Sequence, residues 1–200
     1  MEIKVVDNHK LYLERLEFYR QLGYDQTQER EFILDCAGRL DGSILEIGTG
    51  KGHFTLALAK RGVCFISVDM AAQEQEIAAL NLEYYGLRAK ADLRLMDAGS
   101  LAFSAQSFDL IFCVNVFHHL KEPSKALKEM TRVLRSKGRI VLSDFNAEGM
   151  AIINHCHEIE GKILDRLANN FEDAVKFFTG ARFRITRKES KCQAVIIARR

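Results

Sequence analysis

The chain reads as one α/β domain, a mostly parallel sheet with helices on both faces, preceded by a helical cap. Three observations predict this. The stretch Ser43 to Gly52, SILEIGTGKG, is a short apolar run of strand type that stops on three alternating glycines and passes at once into helical periodicity. Further apolar runs of strand length alternate with helical stretches, the pattern of crossover connections in a parallel sheet. A length of 200 residues with 48% hydrophobic content suits one domain with a substantial core.

Residues 1 to 40 form the expected cap or lid, and 41 to 200 the main domain. Leu11, Leu13, Leu16, Phe18 and Tyr19 lie in a first helix that Gly23 breaks. Asp25 followed by Gln28 has the spacing of a capping box for a second helix through Leu40. Tyr12, Phe18, Tyr19 and Tyr24 either pack into the core or close over a ligand.

In the turn at Gly48, Gly50 and Gly52 the backbone is almost bare. Helix-start N–H groups there can meet a polar, partly anionic molecule, which marks a site for a nucleotide-like cofactor. A dinucleotide fingerprint would need glycine at position 53, where the chain has His53. A helix from Phe54 to Gly62 follows. Val63 to Val68 is a buried second strand ending in Asp69, about twenty residues beyond the first glycine, where a carboxylate can reach a ribose or simply cap the next helix, Ala71 to Tyr85.

The third strand runs from about Ala91 to Met96 and ends in Asp97-Ala98. Phe108 to Val114 is a fourth strand, nearly all apolar and hence buried on both faces. Its end, Asn115 to Leu120, carries His118 and His119 to the carboxyl edge of the sheet, where open α/β folds bind ligands. Pro123 opens a helix whose stripe Ala126, Leu127, Met130, Val133 and Leu134 stops at Gly138, and Arg139 to Leu142 is strand five.

Between Glu148 and Asn170, the residues Ile152, Cys156, Ile159, Ile163 and Leu167 recur at helical spacing as a buried face. Glu160 projects within that arc and His157 beside its edge. They are either a base or substrate-positioning pair in a pocket, or a Glu160 ion pair with Lys162 or Arg166 beside an amphipathic His157. His155 and Cys156 next to His157 do not make a metal site, because residues one and two apart on a helix diverge. No metal is expected. Ala181 to Arg187 and Cys192 to Ala198 are two final strands with a turn at Glu189-Ser190.

The series Glu46-x-Gly48-x-Gly50-x-Gly52, then Asp69, then Asp97 within MDAGSLAFSAQSFDLIF, then Asn115 to Leu120, resembles the motifs of class I S-adenosylmethionine-dependent methyltransferases. The nearest likeness is to their ubiquinone/menaquinone-biosynthesis-like, small-molecule branch, and it spans about Asp41 to the C-terminus. The resemblance implies a Rossmann-like sheet of seven strands, mostly parallel, in the order 3-2-1-4-5-7-6 with the last strand antiparallel. It implies S-adenosyl-L-methionine as cofactor, with Glu46, Gly48, Thr49, Gly50 and Gly52 near the methionine part. Asp69 and Met70 would serve the ribose, Asp97 and Ala98 the adenine, and Asn115 would also contact the cofactor. Lys51 departs from the small or hydroxyl residue common at its position. The chain lacks the Asn/Asp-Pro-Pro-aromatic sequence by which many DNA and protein amide N-methylases hold an amino group.

The implied activity is methyl transfer to a small organic acceptor. Most of the acceleration comes from aligning acceptor and methyl carbon in a dry pocket. A base is needed only if the acceptor must lose a proton, and His118, His119 and His157, with Glu160, are the candidates. Two alternatives stand beside it: RNA methylation, and a non-catalytic protein that binds S-adenosylmethionine. Seven basic residues between Arg182 and Arg200 face one acid, Glu189, and either meet RNA phosphates or decorate a solvent face.

The five cysteines are widely spaced without a Cys-x-x-Cys pair, as expected of buried free thiols in a reducing compartment. Apolar runs are too short for a membrane span, and the charged N-terminus has no signal-peptide core, so a cytoplasmic location is expected.

Overall fold

The structure is a computed structural model and describes residues 2–161 and 171–200. In chain order the helices are α1 (Ile3–Gln21), α2 (Gln26–Ala37), α3 (His53–Lys60), α4 (Ala72–Tyr84), α5 (Pro123–Val133), α6 (Ala147–Ile159) and α7 (Phe171–Gly180). The strands are β1 (Ile44–Ile47), β2 (Phe65–Asp69), β3 (Ala91–Leu95), β4 (Phe108–Val114), β5 (Leu134–Phe145), β6 (Arg184–Glu189) and β7 (Gln193–Arg199). They form one seven-stranded sheet in the order β3-β2-β1-β4-β5-β7-β6. Only β7 runs against its neighbours β5 and β6; the other pairings are parallel. This is the Rossmann-like order expected from the motifs.

The sheet is buried on both faces because its central strands are apolar at successive positions. On one face Ile47, Ile111, Cys113 and Leu142 pack against Leu127 and Met130 of α5 and Phe178 of α7. On the other, Ile44, Phe112, Val141 and Ile197 meet Ile33 and Leu34 of α2 and Leu56 of α3. Each such fully buried side chain contributes roughly 1.5–3 kcal/mol. The strand order reverses between β1 and β4, and the crevice at their carboxyl ends is where such sheets bind ligands.

Of the N-terminal helices, α1 packs against α4, and α2 against α3 and β7. Asp25 Oδ1 caps α2 by accepting from the Thr27 and Gln28 N–H groups at 3.0 Å each. The helix stops at Ala37, three residues before the expected Leu40, because Gly38 turns the chain at φ 75°. The face that α1 buries is Val5, His9 and Tyr19, while Leu11 and Leu13 are exposed. His9 stacks on Tyr84 of α4 at 3.5 Å between centroids. With Tyr12 stacked on His53 at 5.2 Å, these rings form an aromatic column from α4 through α1 to the start of α3.

Several expectations are corrected. The α5 stripe does not run on to Gly138: the helix ends at Val133 and β5 begins at Leu134 with no loop. Leu134 pairs with Phe108, a register shift follows between Phe108 and Leu110, and the Gln106 and Ser107 N–H groups take the carbonyls of Arg132 and Val133. Sheet pairing therefore claims Leu134 ahead of the helix. The segment Phe171–Gly180 is helical, and its closing turn through Ala181 and Arg182, the latter at φ 62°, delays β6 to Arg184. In the second strand pairing starts only at Phe65, which leaves Cys64 exposed while the other four cysteines are buried. On α6 the buried residues are Gly149, Ile153 and Cys156. Ile159, expected inside, is 54% exposed; Ile163 and Leu167 lie outside the described residues.

Candidate active site

A cavity of about 490 Å³ opens at the carboxyl ends of β1, β2 and β4. Its walls come from the glycine turn after β1, the end of β2, the loop after β4, and Arg30 of α2. The volume lies within the range of small-molecule sites, about 300–1,000 Å³.

The glycine turn is shaped by packing on both sides. A side chain at Gly48 would run into Val116 Cγ2, 2.0 Å from the Cβ position, so the turn and the loop after β4 lie in contact. A Cβ at Gly50 would meet nothing within 4 Å, and this residue faces the cavity. Gly52 is different: it starts α3 at φ 80°, and its Cβ would stand 2.6 Å from Ala78 Cβ. It is absent from the cavity lining. Its glycine answers to the close approach of α3 and α4.

Asp69 ends β2 beside this turn and lines the cavity. Its Oδ2 accepts from the Gly50 N–H at 2.7 Å and its Oδ1 from the Ala71 N–H at 2.9 Å. The carboxylate thus both fixes the turn and caps the segment leading into α4. Two carboxylate oxygens offer about four acceptor positions, so lone pairs remain for a ligand hydroxyl. Met70 stands exposed on the rim.

Beneath the turn is a buried polar network. Thr49 Oγ1 and Ser67 Oγ lie 2.6 Å apart, and Gln75 Nε2 donates to Thr49 Oγ1 at 3.1 Å. Glu46 is 1% exposed and accepts from Thr55 Oγ1 at 3.0 Å, while its Oε2 is buried without a donor among the described residues. Burial pushes its pKa up to about 8, against the opposing pull of the Ser67 and Thr55 hydroxyls. Glu46 underlies the turn rather than lining the cavity.

The third strand end is only partly in place. Ala98 lines the cavity, whereas Asp97 does not: its Oδ1 accepts from the Gly99 N–H at 2.8 Å. Asn115, at the end of β4, lines the cavity in a left-handed conformation, φ 55°. Its Nδ2 donates to the Tyr24 hydroxyl at 3.4 Å, and its Oδ1 is buried without a donor among the described residues. Tyr24 is itself 1% exposed and also accepts from Gln193 Nε2 at 3.2 Å.

The histidines flank the opposite wall. His119 lines the cavity, and burial followed by the neighbouring His118 lowers its pKa. The rings of His118 and His119 are 3.9 Å apart between centroids. His118 is held by Asp144, the penultimate residue of β5: Asp144 Oδ1 lies 2.6 Å from His118 Nδ1, and Asp144 Oδ2 accepts the His118 backbone N–H at 3.0 Å. The charge of His157, on α6, pushes the His119 pKa in the same downward direction as His118 does, as the smallest of the influences on it. Glu160, the residue that ends α6, pairs with Arg15 of α1 at 3.0 Å; Lys162 and Arg166 lie outside the described residues. Among the described residues no three His, Cys, Asp or Glu side chains cluster as metal ligands, and no helix is long and apolar enough to cross a membrane.

Three residues of this region, Arg30, His53 and Asp144, are not among the sequence candidates, and Tyr24 is expected from the sequence only as a core or lid aromatic. Arg30 lines the cavity with Nε buried and without an acceptor among the described residues. His53 lines it too, its pKa lowered well below the usual histidine range mainly by burial. Tyr24 orients Asn115, and Asp144 orients His118. Only Asp144 carries a sequence signal, as an acid at a strand end like Asp69 and Asp97.

Residues 45–142 match the family described as methyltransferase domain. An uncharacterized methyltransferase YcgJ of Bacillus subtilis is 34% identical over 111 residues, 54% of this chain and 43% of that protein. A ubiquinone biosynthesis O-methyltransferase of Parvibaculum lavamentivorans is 28% identical over 178 residues, 86% of this chain and 66% of that protein. The chain therefore spans less than two thirds of either curated relative. The crystal structure of the Bacillus YcgJ protein is similar at a TM-score of 0.65 and 25% identity, covering 81% of this chain and 70% of that one.

Proposed function

Residues 45–142 are a class I S-adenosylmethionine-dependent methyltransferase domain, and on that premise we propose that the protein transfers a methyl group from S-adenosyl-L-methionine to a small-molecule acceptor. The observation that carries this reading is the single cavity onto which both halves of such a reaction open. One wall is the Gly48–Gly50 turn with Asp69, and the other is the loop after β4 with His119.

The chain's own groups fit the cofactor. Gly50 leaves room for a ligand against the main chain, Asp69 retains lone pairs for ribose hydroxyls, and Ala98 offers a small apolar contact for the base. Arg30 Nε and Asn115 Oδ1, a buried donor and a buried acceptor, suit the charged amino-acid end. When bound, the sulfonium supplies a methyl carbon already activated toward a nucleophile. The protein's part is to align the acceptor and exclude water, and to remove a proton where the acceptor carries one. Glu46 and Gly52 support the turn from below. His118, His119 and His157 are the proton-accepting side chains near the acceptor wall, and Glu160 ties α6 to α1 through Arg15.

The RNA alternative gains nothing from the relatives. Of the basic residues that suggested it, Arg187 pairs with Glu172, Lys191 donates to the Gly23 carbonyl, and Arg200 lies over the Phe183 ring. The test is transfer of a labelled methyl group from S-adenosylmethionine into a cell extract, with products separated by size and Asp69→Ala as control. Label in the small-molecule fraction is expected. Label confined to RNA, or none above the control in a protein that binds the cofactor, would overturn the reading.

A further inference from the structure

A second cavity, of about 270 Å³, opens between α1, α4 and the glycine turn. It shares Lys51 and His53 with the cofactor cavity, so the two spaces meet at those side chains. Two cations, Arg15 and Lys51, line it, and among the described residues no aspartate or glutamate does. The backbone of Lys51 is pinned to α4, because Asn81 Nδ2 donates to its carbonyl at 2.9 Å, and Asn81 Oδ1 in turn accepts from Asn8 Nδ2 of α1 at 2.8 Å. The carboxylates that face the two cations stand outside this lining. Glu160 takes Arg15 at 3.0 Å, whereas Glu74 lies 4.0 Å from Lys51 Nζ, too far for a hydrogen bond. His53 registers the same imbalance: its Nδ1 is buried without a partner among the described residues, and after burial the charges that lower its pKa are Arg30, Arg15 and Lys51, all positive.

We propose that this cleft binds an anionic group of the methyl acceptor, a carboxylate or a phosphate, with Lys51 as its principal charge partner and Arg15 as the second. The inference rests on the methyl-transfer reading and narrows its acceptor to a molecule with a negative charge. S-adenosylmethionine does not supply that charge itself. It carries an ammonium and a sulfonium against one carboxylate, and on the reading above that carboxylate takes Arg30 Nε in the first cavity. An anion in the cleft meets a partly buried ammonium, where a charged hydrogen bond is stronger than in open water. Leu11 and Ile77 give the cleft apolar sides for the rest of the molecule. The acceptor then reaches the cofactor cavity past His53, the wall that both spaces share. Holding its charged end at Lys51 restricts where its nucleophile can lie, which is how a contact remote from the reacting atoms contributes to alignment.

Binding of simple anions tests the site without turnover, so its result stands apart from that of the methyl-transfer reading. The protein loaded with S-adenosylhomocysteine is titrated with benzoate, with inorganic phosphate and, as a neutral match, with benzyl alcohol, and proton NMR follows the histidine rings. Benzoate or phosphate should shift the His53 signals saturably and benzyl alcohol should not; the tighter of the two anions tells carboxylate from phosphate. Lys51→Met should weaken that anion about tenfold, the scale of one charged hydrogen bond, and Lys51→Arg should retain it. S-adenosylhomocysteine affinity should stay within about threefold in both variants. Absence of a saturable shift, equal binding of benzyl alcohol, or loss of S-adenosylhomocysteine affinity in Lys51→Met would overturn the proposal, the last because Lys51 would then hold the cofactor. In the labelled-extract experiment the small-molecule product should be retained on an anion-exchange resin at neutral pH. A labelled product that passes through overturns the anionic acceptor and leaves methyl transfer standing.

Discussion

Asp69 Oδ2 and the Gly50 N–H are 2.7 Å apart, so the acid that ends β2 clamps the turn that follows β1. One carboxylate therefore sets the turn geometry and, on the proposed reading, also meets the ligand. Asp69→Asn keeps an oxygen for one of the two backbone donors and loses the charge. Charged hydrogen bonds are worth about 1.5–3 kcal/mol, so S-adenosylhomocysteine affinity should fall roughly 10- to 100-fold by titration calorimetry. Unchanged affinity would mean that no ligand hydroxyl reaches Asp69.

Gly50 and Gly52 should part company on mutation. Gly52→Ala drives a Cβ to 2.6 Å from Ala78 at φ 80° and should lower unfolding stability by about 1–3 kcal/mol in urea titrations. Gly50→Ala meets open space and pays mainly the left-handed backbone penalty, about 1–2 kcal/mol. Its larger effect should be on ligand affinity, because the new methyl group stands on the cavity wall.

Glu46 gives the protein a pH dependence of definite sign. Its carboxyl has an ordinary value of 4.5 and is pushed up to about 8 by burial, so between those values the folded state holds the proton that the unfolded chain has lost. Stability contributed by this group is complete below about pH 4.5 and declines as pH rises toward 8. Glu46→Gln cannot ionise. Relative to wild type it should gain stability from pH 5 to pH 8, on the order of a kcal/mol per pH unit, by chemical denaturation at the two pH values. A constant difference would show that Glu46 stays ionised in its buried site.

The Arg15–Glu160 pair joins the first helix to the end of α6 across 145 positions of sequence. Both side chains are mostly buried, so the pair should be worth more than a surface ion pair. Arg15→Met should cost about 1–2 kcal/mol, and a double-mutant cycle with Glu160→Gln should return a coupling of about 1 kcal/mol. Zero coupling would leave α1 held by its aromatic contacts, the buried Val5 and its polar contacts to α4, Asn8 with Asn81 and Lys4 with Glu76.

What could be read from the sequence was local or repeated. The Gly48–Gly50 turn, Asp69 at the end of β2 and the apolar run of β4 follow from backbone needs and from period, both visible in a short window. The α5 to β5 boundary escaped because Val133 and Leu134 are both apolar, and period cannot tell the last buried helix residue from the first buried strand residue. Ile159 was misplaced because α6 ends there and Glu160 turns toward Arg15, a partner set by tertiary packing. Arg30 reaches the cavity only because α2 folds back over the sheet, and no short-range pattern marks a lone arginine for that. Asp97 has the expected spacing, yet its carboxylate binds the nearby Gly99 N–H, a local bond that competes with any longer reach.

The aromatic column from Tyr84 through His9 and Tyr12 to His53 is also an optical device. The chain has no tryptophan and five tyrosines, so its near-ultraviolet emission belongs to tyrosine alone. Tyr12 stacks directly on His53, a wall of the cavity, and through His9 it is continuous with Tyr84. A molecule settling beside His53 changes the surroundings of a native fluorophore, and the protein can report its own occupancy without a label.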